Sequence, residues 1–432
     1  MIDAADRWVT GDHFGLPIPA DPDALRASGT TFLTHAFRAS GALPADNAVT
    51  RISRFDEVPG GSTGRKLLLR IEYAKPDVYA QTDLFVKFSR DLRNPIRDRG
   101  KTQMESEVLF ASLSGTPGFP ITVPAAHFAD YHSDTGTGIL ITEQIRFGDN
   151  GIERQYHKCL DYEMAEPLDH YRALLTALAR LVGHHRSGCL PAGLIDQFPV
   201  DLQAATVGEQ VSISADQLDR RLSRLAEFAY TSPGLLPANV RSPEFLERLR
   251  DDAPRFLQHE PAVWNHLAAQ TDYIALCHWN ANVDNAWFWR DADNEVHCGL
   301  LDWGCVGQLN VAMALWGAMS GAETVMWDHH LDDLLSLFVA EIRRCGGPDL
   351  DAGELHHQLM LYVGIMAVAW LLDVPALIRS RFGDEARSLS RNDPLIRDDE
   401  SVRAPLQMLT NALNLWERMR FGDLLTTATT GW

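Results

Sequence analysis

The feature that most constrains this chain is a change of hydrophobic pattern near residue 147. Ahead of it, apolar residues come in short β-branched and aromatic runs bounded by turn residues, which is a strand signature. The runs predict strands over 48–55, 66–73 and 83–88, a helix over 104–113, and further strands over 121–123 and 138–145. Val58-Pro59-Gly60-Gly61-Ser62-Thr63-Gly64-Arg65 joins the first two as a hairpin connection. Beyond 147 the period lengthens. Helices are predicted over 170–183 and 242–258, the second opened by Ser242-Pro243-Glu244, and from Val311 onward the pattern is mostly helical. Short strands are predicted over 273–277, 286–290 and 297–301. The reading is an α+β fold with three parts. Residues 1–45 form a leader broken by Pro17, Pro19 and Pro22, 46–146 a small sheet-rich lobe, and 147–432 a large helical lobe.

Composition narrows the function classes. With 39 Lys and Arg against 58 Asp and Glu, the chain carries a formal charge of −19, which argues against a nucleic-acid binder. A cationic small substrate suits that charge, although solubility alone explains it. The first ten residues lack a basic tip followed by an apolar run, so no export signal is expected. The longest apolar run, Leu359 to Leu372, falls short of the ~20 residues a membrane-spanning helix needs and reads as a buried core helix. Six cysteines without a Cys-x-x-Cys pair read as reduced thiols of a cytoplasmic protein.

The chemistry-bearing stretch is Cys277-His278-Trp279-Asn280-Ala281-Asn282-Val283-Asp284-Asn285, followed by Gly299-Leu300-Leu301-Asp302-Trp303-Gly304. Phosphoryl transfer from ATP needs Mg²⁺ held against the phosphates, a lysine on those phosphates, and a group that places the acceptor. An Asn on a tight loop and an Asp at a strand end can supply oxygen ligands to Mg²⁺, and Asn285 and Asp302 fit that task.

These segments resemble the aminoglycoside phosphotransferase and choline/ecdysteroid kinase-like group, small-molecule kinases with a two-lobed protein-kinase-like fold. In that group the catalytic loop reads His-Gly-Asp-x-x-x-x-Asn and the metal segment Ile-Asp-Trp or similar. By resemblance, His278 braces the loop, and Asn285 and Asp302 bind metal. Lys87 in Phe-Val-Lys-Phe is the third-strand lysine on the phosphates. Glu107 is its helix partner, with Glu105 the second choice. Gly138-Ile-Leu-Ile-Thr-Glu-Gln, with Glu143, is the strand and hinge that receive adenine. The run from Gly60, Gly61 and Ser62 lacks Walker spacing and suits a lid whose backbone amides face phosphates. The resemblance implies ATP and Mg²⁺ as cofactors and a hydroxyl of a small molecule as acceptor, with no nucleic-acid or membrane partner.

The chain departs from the group at one position. The catalytic Asp falls at Asn280 and the adjoining Gly at Trp279. An amide can orient a hydroxyl through its oxygen but cannot take its proton, and losing a positioned base costs ~10²–10⁴-fold in rate. Asp284 or Asp272 could supply the missing carboxylate. Three readings follow: a kinase, a weak one included; a nucleotide-binding pseudokinase; or a kinase-like fold that transfers another part of the nucleotide.

Other features have plainer readings. The doublets His184-His185, His329-His330 and His356-His357 lack metal-site spacing. The basic residues between Lys87 and Lys101 read as a solvated connector. Trp279, Trp287, Trp289 and Trp303 read as core aromatics, with a cation-holding wall as the alternative.

Overall fold

A computed structural model of the protein describes residues 7–59, 63–76, 81–202 and 211–430. It divides into two compact units. The first comprises residues 1–150, 190–198 and 299–306, and the second 151–189, 199–298 and 307–432.

The first unit is built on a five-stranded antiparallel sheet. Before it, Trp8–Thr10 (β1) pairs with Pro17–Pro19 (β2). The sheet strands are Val49–Val58 (β3), Arg65–Tyr73 (β4), Asp83–Phe88 (β5), Ala126–His132 (β6) and Thr137–Glu143 (β7), in the order β3-β4-β5-β7-β6. Alternation decides the two faces. Leu67, Leu69, Ile71, Leu84, Val86 and Phe88 all enter one core cluster. The alternate residues Lys66 and Lys87 are direct cross-strand partners, and Leu140 of β7 stands opposite Lys87. The sheet therefore has an aliphatic face and a face that carries two lysines.

Residues 7–45 are more than a leader. Pro22–Ser28 (α1) and Thr30–Ala39 (α2) place Leu25, Phe32, Leu33, Ala36 and Phe37 in that same aliphatic cluster, so this segment is the layer that covers the sheet. Asp21 caps α1 by accepting from the Ala24 N–H at 2.8 Å, and Pro22 occupies its first turn. One strand prediction needs correction. Residues 121–123 contain only an isolated bridge at Thr122, and the strand lies at 126–132. Pro120 and Pro124 flank the predicted run, and a proline supplies no N–H to a ladder.

Gln103–Ser114 (α3) packs on β6 and β7 through Met104, Val108, Ala129, Tyr131 and Leu140. The basic run ahead of it is cross-linked internally. Arg90 grips Asp98 at 2.7 Å, and Arg97 lies 3.6 Å from Asp91 while its guanidinium also donates to the Gly64 carbonyl. Gly64 has φ +54°, and a Cβ there would sit 1.7 Å from the Phe88 carbonyl oxygen, so the end of the β3–β4 connection admits only glycine. Gly60, Gly61 and Ser62, the expected phosphate-facing lid, lie outside the described residues.

The second unit is helical. Its main members are Pro167–Arg186 (α4), Pro243–Ala269 (α5), Val311–Met319 (α6) and Ala352–Ala369 (α7). Ile274–His278 (β8) pairs with Val306–Asn310 (β11), and Ala286–Arg290 (β9) with Val296–Leu300 (β10). Helix α5 runs on through Pro254 and Pro261, well past its predicted end at 258. The stretch that starts at Ala352 is long and apolar enough to cross a membrane by length and composition, but 78% of its most apolar window is buried inside the protein. No disulfide joins the six cysteines.

Candidate active site

Chemistry in the first unit gathers around Lys87. Its ammonium is buried and lies 2.7 Å from Glu107 Oε2 and 2.6 Å from Asp302 Oδ1. Burial works against the charged lysine, but Asp302 and Glu107 outweigh it and hold its pKa above the ordinary range. Burial pushes the Glu107 carboxyl up against the pull of Lys87, and with the ammonium 2.7 Å away we take the pair as ionised. Glu105, the second choice for helix partner, is exposed in the first turn of α3.

Asp302 arrives from far along the chain. Gly299 bridges Thr122, and the Leu300 N–H donates to the Thr122 carbonyl at 3.0 Å. Trp303 stacks on Phe110 of α3 with ring centroids 3.7 Å apart. These contacts are why residues 299–306 belong to the first unit although their neighbours in sequence belong to the second. Asp302 has φ +63°, a left-handed conformation that costs a non-glycine residue strain and recurs where geometry serves a site. Its side chain is 38% exposed, against 5% for Glu107, so one carboxylate is sealed in the sheet–helix interior and the other faces outward.

Lys66 is the residue that sequence reasoning missed at this site. It stands opposite Lys87 on the same face, and no hydrogen bond or ion pair holds its ammonium among the described residues. Burial lowers its pKa, Asp302 pulls it back and Lys87 lowers it further. The signal was available in the period-2 alternation of β4, which puts Lys66 on the opposite face from Leu67 and Leu69. Glu143, at the end of β7, accepts from the Ala125 N–H at 2.9 Å.

The loop after β8 makes a different kind of site, built from neutral groups. His278 is fully buried, and its Nδ1 accepts from the Asn280 N–H at 3.1 Å, so that nitrogen carries a lone pair and braces the turn. Asn285 Nδ2 donates to the Asn280 carbonyl at 2.8 Å, which leaves Asn285 Oδ1 without a hydrogen bond among the described residues. Helix α6 fixes the loop from behind. A Cβ at Gly317 would lie 1.6 Å from the Trp279 carbonyl oxygen, and Asn282 Nδ2 donates to the Gly317 carbonyl at 2.5 Å. Trp279 Nε1 donates to Tyr362 Oη at 3.1 Å, and Trp287 and Trp303 are buried core aromatics.

The side chain of Asn280 does not match expectation. Its Oδ1 accepts from Asn282 Nδ2 at 2.9 Å and from Lys158 Nζ at 3.4 Å, so the oxygen expected to orient a hydroxyl is occupied. Lys158 Nζ also lies 3.7 Å from Asp284 Oδ2. Asp272 is placed elsewhere. Its side chain is 70% exposed and ion-paired with Arg186.

No protein-family model and no curated protein matches this chain. In outline it is similar to small-molecule kinases. A choline/ethanolamine kinase family protein from Mesorhizobium loti aligns at 15% identity over 87% of this chain and 98% of its own, with a TM-score of 0.37. A microcompartment-associated aminopropanol kinase aligns at 14% identity over 91% and 98%, with a TM-score of 0.42. Choline kinase from Cryptosporidium parvum Iowa II aligns at 10% identity over 88% and 93%, with a TM-score of 0.42. Likeness at this level assigns no residue a role.

Proposed function

We propose that this protein is an ATP- and Mg²⁺-dependent phosphotransferase that moves a phosphoryl group to an oxygen of a small molecule. The observation that carries the reading is the buried Lys87, clasped between the sealed Glu107 and the outward-facing Asp302. A lone buried lysine would tend to lose its proton, and this one is held charged by two carboxylates. Such an ammonium suits the oxygens of a polyphosphate, with Glu107 keeping its direction when Asp302 turns to a cation.

The donor set fits Mg²⁺, which prefers one or two carboxylate or amide oxygens and takes the rest of its shell from phosphates and water. Asp302 offers a partly exposed carboxylate, and Asn285 an amide oxygen without a hydrogen bond among the described residues. By resemblance, those two residues would hold the ion, which when bound would supply charge neutralisation at the phosphates. The residues of the chain do the rest. Lys87 binds phosphate oxygens, Lys66 adds a second ammonium on the same face, and His278 sets the turn that carries Asn280. Asp284 and Lys158 stand beside Asn280, and Glu143 and the lid from Gly60, Gly61 and Ser62 are assigned to the nucleotide by resemblance.

The test is to incubate the full chain with ATP and Mg²⁺, add small-molecule acceptors, and follow phosphorus NMR. The expected result is acceptor-dependent ADP that is lost in Asp302→Ala. Release of AMP or pyrophosphate would mean that another part of the nucleotide is transferred. Nucleotide binding with no turnover above that of Asp302→Ala would leave a pseudokinase, and no nucleotide binding at all would remove the reading.

A further inference from the structure

We infer that the acceptor oxygen is already ionised, a carboxylate or phosphate-monoester oxygen, because the residue at the base position offers hydrogen-bond donors and no acceptor. This rests on the phosphotransferase reading and names its substrate class.

An amide oxygen has two lone pairs, and both on Asn280 Oδ1 are engaged, by Asn282 Nδ2 and by Lys158 Nζ. The amide orientation is settled by chemistry. A lysine ammonium has three donors and no acceptor, so the atom facing Lys158 is the oxygen. Nδ2 is therefore the end left over, and among the described residues it donates to nothing. A hydroxyl approaching Asn280 would meet N–H donors where its own proton needs an acceptor. An anionic oxygen would meet two donors that match it.

The surroundings agree. The Lys158 side chain is 12% exposed, and among the described residues its one ion-pair partner is Asp284 at 3.7 Å. Behind it, Arg403 Nε donates to the Lys158 carbonyl at 2.8 Å. Arg403 and Arg391 line the adjoining recess together with Tyr162, Gln407 and Thr410, and no carboxylate lines it. Arg391 is countered by Glu323, and Arg403 has Glu400 at 3.9 Å, so the lining is basic but not strongly charged.

The chemistry then balances without a base. The carboxylate or phosphate oxygen attacks the γ-phosphorus, the new O–P bond forms as the bond to the β,γ-bridging oxygen breaks, and ADP leaves with that electron pair. No proton is taken from the acceptor, which explains how Asn280 can stand where a carboxylate serves a hydroxyl. The product is an acyl phosphate or a phosphoanhydride.

The experiment loads the full chain with Mg²⁺ and the β,γ-imido analogue of ATP and titrates probes by calorimetry: succinate, glycerol 3-phosphate, choline and glycerol. The expected result is binding of succinate or glycerol 3-phosphate at least about tenfold tighter than either alcohol, and which of the two binds identifies the source of the oxyanion. Lys158→Met and Asn280→Asp should each weaken that binding by at least about tenfold, the second by replacing donors with a like charge. Absence of anion binding to nucleotide-loaded protein overturns the inference. So does an Asn280→Asp protein that binds the anions undiminished or gains alcohol-dependent ADP formation from ATP. Failure of the analogue itself to bind refutes the phosphotransferase reading instead, so the two failures are distinguishable.

Discussion

The Lys87 cluster and the Asn280 loop solve positioning in opposite ways. In the first unit three full charges lie within 2.7 Å contacts, and Lys87 is held charged despite burial. In the second unit the loop is held by amides and an imidazole, Asn282 to Asn280, Asn285 to Asn280 and Asn280 to His278, with one distant ion pair at its edge. A charged cluster responds to a change of ionic partner, because a metal or phosphate can replace one carboxylate on the lysine. A net of neutral hydrogen bonds is directional and holds its shape whatever the ligand charge. On the proposed function, the first arrangement would serve the polyphosphate end of the reaction and the second the placing of the acceptor.

The strongest way to break this contrast is Lys87→Met. It leaves Glu107 buried without its counter-ion, and we expect a loss of about 3–5 kcal/mol in unfolding free energy, with nucleotide binding abolished. Chemical denaturation and calorimetry check both, and an unchanged midpoint would mean the cluster is not the electrostatic keystone of its unit. The matching perturbation of the neutral net is steric. Gly317→Ala puts a methyl 1.6 Å from the Trp279 carbonyl oxygen, so α6 and the loop must part. We expect about 1–3 kcal/mol of destabilisation and turnover down roughly 10²-fold from the displaced loop. Turnover at the wild-type rate would show that the loop tolerates movement.

The smallest effect sharpens the comparison. Lys66→Met removes a partly buried ammonium that has no ion pair among the described residues, so stability should hold or rise slightly while nucleotide affinity falls about tenfold. The sign of its pH dependence is set by its lowered pKa. The folded state releases this proton before the unfolded chain does, so folding stability rises with pH below the ordinary lysine pKa of 10.5. Lys66→Met should flatten that rise. A Lys66→Met protein of wild-type nucleotide affinity would take Lys66 out of the site.

Much of this was legible in the residues alone. Strand β5 ends where its pattern ends, and β4 and β9 fall within a residue of expectation, because alternation and turn chemistry are local. Resemblance favours Glu107 over Glu105, and helical geometry gives the reason: residues two apart point to different sides, and Glu107 is the one buried. The role of residues 7–45 was not legible. Their prolines mark interruptions, but nothing local says that α1 and α2 cover the aliphatic face of a sheet that comes later in the chain.

What the sequence determined by itself is the identity and order of the reactive groups: a lysine in a strand, an acid in the following helix, an amide-rich loop and a late aspartate. Only the tertiary structure decided that Asp302 folds back onto Lys87 across 215 positions, and that the Asn280 oxygen is consumed by Asn282 and Lys158. The reason is physical. Periodicity reports contacts a few residues apart, whereas a hydrogen bond between distant segments depends on how the whole chain packs and leaves no local trace.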